Sequence, residues 1–186
     1  TAVPFLIMQA ARHGGAGRLA GAAVFASAMV LLYLASTLYH ALPQGRAKRV
    51  FQVIEHGAIF LMIAGTYTPF TLGVLRGPLG WTLFAAVWTL AAVGIGLKIV
   101  AGAEGYPVLS MVLYLGMGWL AIAAIQPLWQ MLPRPGFFSV VLGGVSYTAG
   151  VPFYLSSRLR FAHFVWHLFV LAGSAAHTFA VLHYAV

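Results

Sequence analysis

The chain is a series of long apolar runs separated by short polar segments, and this pattern limits what it can fold into. Each run has about the 20 residues that a helix needs to cross a bilayer. Lipid offers the backbone no hydrogen-bonding partner, so a spanning segment must satisfy its own polar groups as a helix. The runs cover residues 19–42, 50–75, 79–100, 108–131, 137–155 and 161–184.

A shorter apolar stretch, residues 1–11, precedes these runs. It is too short to span a bilayer, and we interpret it as the second half of a first helix whose beginning is missing from the chain. We therefore predict an all-α integral membrane protein, a seven-transmembrane-helix bundle with a truncated first helix, forming one domain over residues 1–186. Glycines inside the predicted helices suit close packing in lipid, and they stand at positions 94, 96, 116, 118, 143 and 144.

The composition supports this class, because 62% of the residues are hydrophobic and only 6% are charged. A soluble domain carries about a quarter charged residues. The net charge of +8 is scattered between the apolar runs, so we expect it to set the topology, with no nucleic-acid partner. Six cations lie in the loops after the second, fourth and sixth helices, and four lie in the other loops. This bias predicts a cytoplasmic N-terminus and an outside C-terminus.

The last apolar run carries four of the seven histidines of the chain. Ionisable side chains inside a membrane are costly, so they are candidates for function. His163 and His167 are four residues apart, which places both imidazoles on one face of a helix at a spacing suited to a shared metal ion. The chain has no cysteine, so a metal site must use nitrogen and oxygen donors.

Because successive helices cross the membrane in opposite directions, the chain places further donors on the same side of the membrane. His40 ends the second helix and Glu55 begins the third, and both of these ends share a side with His163 and His167. Three imidazoles and one carboxylate at similar depth suit zinc with an open position. Ser36 precedes His40 by one turn, and its hydroxyl either supports the metal site or bonds to its own helix backbone.

His177 lies about 21 Å beyond His163 along the same helix, too far to share the metal. We expect it to bond to a neighbouring helix; a proton relay through Ser174 is the alternative. His56 points about 100° away from Glu55 and receives no role in the site. We also interpret Thr66, Tyr67 and Thr68 as structural residues around Pro69, with cavity lining as the alternative.

Several motifs together resemble the hemolysin III family, the bacterial branch of the superfamily that contains the progestin and adiponectin receptors. They are Ser-Thr-Leu-Tyr-His at 36–40, VIEHGAIF at 53–60, AGTYTPF at 64–70, Lys98, MGW at 117–119, GG-x2-YT-x-G at 143–150 and H-x2-WH-x-FV at 163–170. The resemblance implies seven transmembrane helices, a cytoplasmic N-terminus and a zinc ion near the cytoplasmic face of the bacterial inner (plasma) membrane. It assigns the metal to His40, His163 and His167, with Ser36 and the acidic residue of the third helix beside it. That acidic residue is usually Asp in the family and is Glu55 here, so its carboxylate either reaches the metal directly or displaces the water there.

The superfamily is related to the alkaline ceramidases, and this favours a ceramidase-like, zinc-dependent hydrolase of a membrane lipid amide. Ser36 and Glu55 are then the candidate catalytic residues, and membrane lipids are the expected partners. Three other functions stay open. They are a non-catalytic membrane-stress or lipid-homeostasis regulator or receptor with structural zinc, a cytolytic membrane protein, and proton or ion translocation.

Overall fold

The computed structural model describes residues 3–13, 15–156 and 158–185. All regular structure within these ranges is helical. The α-helices are α1 (Val3–His13), α2 (Ala16–Ala41), α3 (Arg46–Pro69), α4 (Pro78–Ala101), α5 (Pro107–Trp119), α6 (Ile125–Met131), α7 (Arg134–Leu155) and α8 (Ala162–Ala180). A π-helical turn, Phe70–Val74, extends α3; a 3-10 turn, Leu120–Ala124, joins α5 to α6; and a second π-helical turn, Val181–Ala185, extends α8.

In the described chain, six helical segments are long and apolar enough to cross a membrane. They agree with the six predicted runs to within a few residues at each end. α1 has 11 residues, fewer than the roughly 20 needed to span, and the predicted first segment at 1–11 includes residues 1 and 2, which lie outside the described part. The prediction of an all-helical membrane protein is confirmed, and the six spans are the part of the predicted bundle that the structure contains.

The third helix begins earlier than predicted, at Arg46 instead of residue 50. The reason is a bond between its first turn and the end of α2. The Lys48 ammonium donates to the carbonyl oxygens of Tyr39 at 2.9 Å and of Leu42 at 3.0 Å. A cation at the C-terminal end of a helix also interacts favourably with the helix dipole. This contact holds the ends of α2 and α3 together on the side of the bundle where the candidate metal ligands lie.

Helix packing uses only some of the glycines that the sequence suggests. A Cβ on Gly94 or Gly143 would lie within 2.4 Å of a neighbouring side chain, so both allow close approach of another helix. At Gly96, Gly116, Gly118 and Gly144 nothing lies within 4 Å of such a Cβ. The expectation that all six support close packing is therefore wrong for these four, where an added Cβ would meet no neighbour.

The fifth span is interrupted where the 3-10 turn Leu120–Ala124 replaces the α-helix. Tyr67 reaches this interruption from α3. Its hydroxyl lies 2.8 Å from the carbonyl oxygens of Met117 and Gly118, to which it donates, and it accepts a hydrogen bond from the Ala121 amide at 2.7 Å. The freed backbone groups are thereby satisfied away from water, as a membrane requires.

The neighbours of Tyr67 are also structural. Thr66 and Thr68 donate to carbonyl oxygens one turn earlier on their own helix, each at 2.8 Å. The indole N–H of Trp88 donates to the Thr68 hydroxyl at 3.2 Å. These bonds agree with the structural interpretation of the segment before Pro69, although Thr66 and Tyr67 also contribute to the wall of the cavity described below.

Candidate metal centre

Three histidines converge where α2 ends and α8 begins. The Nε2 atom of His163 lies 3.3 Å from Nε2 of His40 and 3.0 Å from Nε2 of His167. One donor atom from each of the three falls within 4.8 Å of the others. His40 is the penultimate residue of α2, and His163 and His167 occupy successive turns of α8. The prediction that these residues meet, made from the alternating direction of the helices, is therefore confirmed.

The chemistry of these contacts fits a cation better than hydrogen bonding. A ring nitrogen has either one proton or one lone pair, so Nε2 of His163 cannot make a good hydrogen bond to both neighbouring nitrogens. A cation that accepts a lone pair from each imidazole satisfies all of them together. Two nitrogen donors on a tetrahedral zinc ion, each about 2.05 Å from it, are roughly 3.3 Å apart. The two observed separations of 3.3 and 3.0 Å are close to this value.

Glu55 places a carboxylate beside the histidine cluster. Its residue is 8% exposed, and Oε1 lies 3.7 Å from Nε2 of His40. Nε2 is also the atom through which His40 contacts His163, so the carboxylate lies beside the cluster, next to His40. Among the described residues, the group whose donor atoms all lie within 4.8 Å of one another consists of the three histidines without Glu55, so both roles considered for the longer carboxylate, direct contact with a metal and displacement of a water, stay open.

Ser36 lies on the wall of the adjoining cavity together with Glu55 and His167. Among the described residues, its hydroxyl has no hydrogen-bond partner, so the bond to its own helix that the sequence also allowed is not formed. Thr37, the next residue, does form such a bond, donating to the Tyr33 carbonyl at 2.7 Å. The Ser36 hydroxyl is thus free to face a ligand in the cavity.

The cavity has a volume of about 230 Å3 and begins beside the histidine cluster. It extends along the bundle from Ser36 and Glu55 to His177. Most of its wall is apolar, contributed by side chains such as Leu32, Ile59, Met62, Leu128 and Val170. An apolar, elongated space beside a polar site suits a lipid chain.

The cavity could not be found from the sequence. A membrane helix is apolar on the sides that face lipid as well as on the sides that face its neighbours, so hydrophobic periodicity does not mark the inner wall. The outward faces show this directly, since Val100 is 88% exposed and Ile99 is 70% exposed.

A second polar group lies deeper in the bundle. Tyr33 donates a hydrogen bond to the Ser174 hydroxyl at 2.8 Å, and the Ser174 and Tyr147 hydroxyls are 2.9 Å apart. His177 lies one turn beyond Ser174, and its Nε2–H donates to the Val140 carbonyl at 3.1 Å. The prediction that His177 bonds to a neighbouring helix is confirmed. The participation of Tyr33 and Tyr147 was missed, because tyrosines in apolar runs give no signal of their own.

His56 lies outside the histidine cluster, as predicted. Its Nδ1 lies 2.8 Å from the Gln52 carbonyl oxygen, one turn earlier on the same helix. Its own carbonyl oxygen accepts a hydrogen bond from the Tyr114 hydroxyl at 2.9 Å. Both contacts are structural ones within and between α3 and α5.

Comparison with known proteins agrees with this architecture. The profile of the family described as Haemolysin-III related matches residues 2–178. The chain is 46% identical over 185 residues to the Hemolysin-3 homolog of Bacillus subtilis (strain 168), covering 100% of this chain and 86% of that protein. It is also 46% identical to Hemolysin-3 of Bacillus cereus, again over 185 residues, covering 100% of this chain and 84% of the relative.

A more distant similarity extends to an animal protein. The chain is 27% identical over 167 residues to the human Monocyte to macrophage differentiation factor, covering 87% of this chain and 68% of that protein. No solved structure matches the chain. The profile match over nearly the whole chain and the two bacterial relatives show that this membrane protein belongs to the Haemolysin-III related family.

Proposed function

We propose that the protein is a zinc-dependent hydrolase that cleaves an amide bond in a membrane lipid, with a ceramide-like molecule as the substrate. One observation carries the proposal, the convergence of three imidazoles, with a buried carboxylate 3.7 Å from one of them, at the end of an elongated apolar cavity. Lipid amide hydrolysis needs donor atoms that hold a Lewis-acidic metal, a group that accepts a proton, and a space for an acyl chain.

His40, His163 and His167 are the residues that would hold zinc. When bound, zinc polarises the amide carbonyl and makes hydroxide available near neutral pH. Glu55 Oε1, 3.7 Å from Nε2 of His40, accepts a proton from the attacking water and returns it to the nitrogen of the departing amine. The Ser36 hydroxyl, free of its own backbone, orients the amide in the cavity mouth.

The apolar wall of the cavity favours a lipid as the substrate. An acyl chain lying along Leu32, Ile59 and Val170 would place its carbonyl end beside Glu55 and His167, all of which contribute to the same wall. The loop cations favour the cytoplasmic side of the bacterial inner membrane for this end of the bundle, with the N-terminus in the cytoplasm and the C-terminus outside. The substrate would then enter from the membrane itself.

The first test is the metal content of protein purified in detergent. We expect about one zinc per chain, lost in His167→Ala and retained in His183→Ala. His183 is the matched control, since it is an exposed histidine near the other end of the same span. Intact protein that takes up no zinc when the ion is supplied would overturn the hydrolase.

The second test is turnover of a fluorescent ceramide in proteoliposomes. Glu55→Gln keeps the size of the side chain but removes the proton acceptor, so we expect turnover to fall by about 100-fold or more while zinc is retained. Glu55→Asp restores the residue usual in the family and keeps partial activity, and Glu104→Gln, at the exposed acidic residue, leaves the rate unchanged. Zinc binding with no turnover in any of these proteins would favour a regulator or receptor in which zinc is structural.

A cytolytic function is the second candidate, because the Bacillus cereus relative carries the name Hemolysin-3. Six spanning segments joined by short loops offer no evident route from a soluble to an inserted form, which favours the hydrolase. Dye release from liposomes separates the two functions. Leakage upon addition of purified protein, unaffected by His167→Ala, would support cytolysis and count against the hydrolase.

A further inference from the structure

The deep end of the cavity contains a polar group with no partner. His177 is 7% exposed and lines the cavity, and its Nδ1 is buried with no hydrogen-bond partner among the described residues. Buried polar atoms are nearly always paired, so an orphan on the wall of a cavity points to a ligand. The metal site does not use this group, because ten residues of continuous helix, about 15 Å, separate His167 from His177.

The tautomer of His177 follows from its other nitrogen. The Val140 carbonyl oxygen only accepts hydrogen bonds, so Nε2, 3.1 Å away, must carry a proton. In the uncharged imidazole, Nδ1 then has a free lone pair and is an acceptor. The uncharged form is the one expected, since the described cavity wall has no carboxylate at this end to pair with an imidazolium.

The neighbouring hydroxyls leave one donor unused. Tyr33, Ser174 and Tyr147 have three hydroxyl protons, and the two hydrogen bonds that connect them use two. The third proton belongs to Tyr147 or to Ser174, according to which of them donates in their shared bond. Of these two, Tyr147 lines the cavity. The deep end of the cavity therefore offers the unpaired acceptor Nδ1 of His177 and, when Ser174 donates to Tyr147, a free O–H donor on Tyr147, beside the phenol oxygens of Tyr33 and Tyr147, which can also accept.

We propose that this group binds the hydroxyl of an elongated lipid about 15 Å from its polar end, with the O–H of the lipid donating to Nδ1 of His177. A hydroxyl on a chain has one proton to donate and lone pairs to accept, which complements the free groups. A charged group would find no counter-charge among the described side chains at this end of the cavity.

The site therefore selects hydroxylated acyl chains over unsubstituted ones. The inference rests on the proposed function only for the cavity that both use. It concerns binding, and it needs neither bound zinc nor hydrolysis. If the protein proved not to be a hydrolase, its preference for hydroxylated chains would consequently be unaffected. If that preference were absent, the proposal of a hydrolase would still stand.

The test is competition between a fluorescent fatty acid and three saturated fatty acids of equal length for the purified protein in detergent. One competitor has a hydroxyl about 15 Å from the carboxyl group, the second has its hydroxyl next to the carboxyl group, and the third has none. We expect the first to bind on the order of tenfold tighter than the other two, which is the factor that pairing one buried acceptor provides. The same order is expected for His167→Ala, which separates this site from the metal centre.

Variants of His177 decide the cause of the preference. His177→Leu removes the acceptor and should bind all three competitors alike, with affinity for the unsubstituted chain maintained. His177→Asn places an amide oxygen near the position of Nδ1 and should recover part of the preference. Equal binding of the three competitors by the unmodified protein, which is expected if only water enters the cavity, would overturn the proposal. A preference that persists in His177→Leu would overturn it as well.

Discussion

Gly94→Ala is a direct test of how closely α3 and α4 pack. A Cβ at position 94 would lie 2.3 Å from Cε1 and 2.4 Å from Cζ of Phe60. Carbon atoms in favourable contact are about 3.5 to 4 Å apart, so either the ring or the helix must move. The Phe60 ring is fully buried and lies against Tyr114 with the ring centroids 4.3 Å apart, which leaves it no free space.

The size of the effect follows from two opposing contributions. Overpacking a buried contact costs about 1 to 3 kcal/mol, and replacing Gly with Ala inside a helix returns up to about 1 kcal/mol. We therefore expect Gly94→Ala to lower the free energy of unfolding by about 1 kcal/mol. Gly96→Ala, two residues along the same helix, meets nothing within 4 Å and should be neutral or slightly stabilising.

Reversible unfolding in mixed micelles with increasing denaturing detergent, followed by tryptophan fluorescence, measures the difference between the two variants. The cost of Gly94→Ala should shrink when Phe60 is replaced with Leu, because the clashing ring atoms are then absent. Equal stability of Gly94→Ala and Gly96→Ala would refute the reasoning. So would a cost that is unchanged in the Phe60→Leu background.

Two further predictions concern buried hydrogen bonds. Lys98 is buried and donates to the carbonyl oxygens of Ala103 and Gly105, both at 2.8 Å, so Lys98→Met should lower the free energy of unfolding by about 2 kcal/mol. Lys48→Met removes a half-buried donor that water can replace, so it should lower the free energy of unfolding by less. An equal cost for the two variants would contradict the argument. Tyr67→Phe removes the hydroxyl that satisfies the interrupted fifth span and should cost about 1 to 3 kcal/mol in the same unfolding assay, and an unchanged free energy of unfolding would show that the turn needs no partner.

The positions of the helices and the meeting of the three histidines could both be predicted, for a shared physical reason. Length and apolar character determine a span in lipid, and alternating direction determines which helix ends share a side. His40 and His163 could therefore be brought together from residues far apart in the chain. Glu55 follows from the same argument, because it lies in the first half of the helix that succeeds the loop after His40.

The features that were missed depend on contacts between helices that no local pattern encodes. Tyr67 pairs with backbone atoms of α5, and Tyr33 and Tyr147 meet at Ser174, each from a different helix. In each case one polar atom finds its partner across the bundle, and nothing in the flanking residues indicates which helix supplies it. The glycines fail for a related reason, since Gly94 and Gly96 are alike in sequence and differ only in what lies opposite.

The histidine cluster also has a consequence for the mechanics of the bundle. His40 and His163 are separated by 123 positions in the chain, so a cation held by both acts as a reversible cross-link that closes a very long loop. A cation that binds only while the two helix ends are together would favour that arrangement by about 1.4 kcal/mol for each tenfold rise of its free concentration above the dissociation constant. Loss of such a cation would weaken the association of the end of α2 with the beginning of α8, two segments that the chain itself connects only through the other helices.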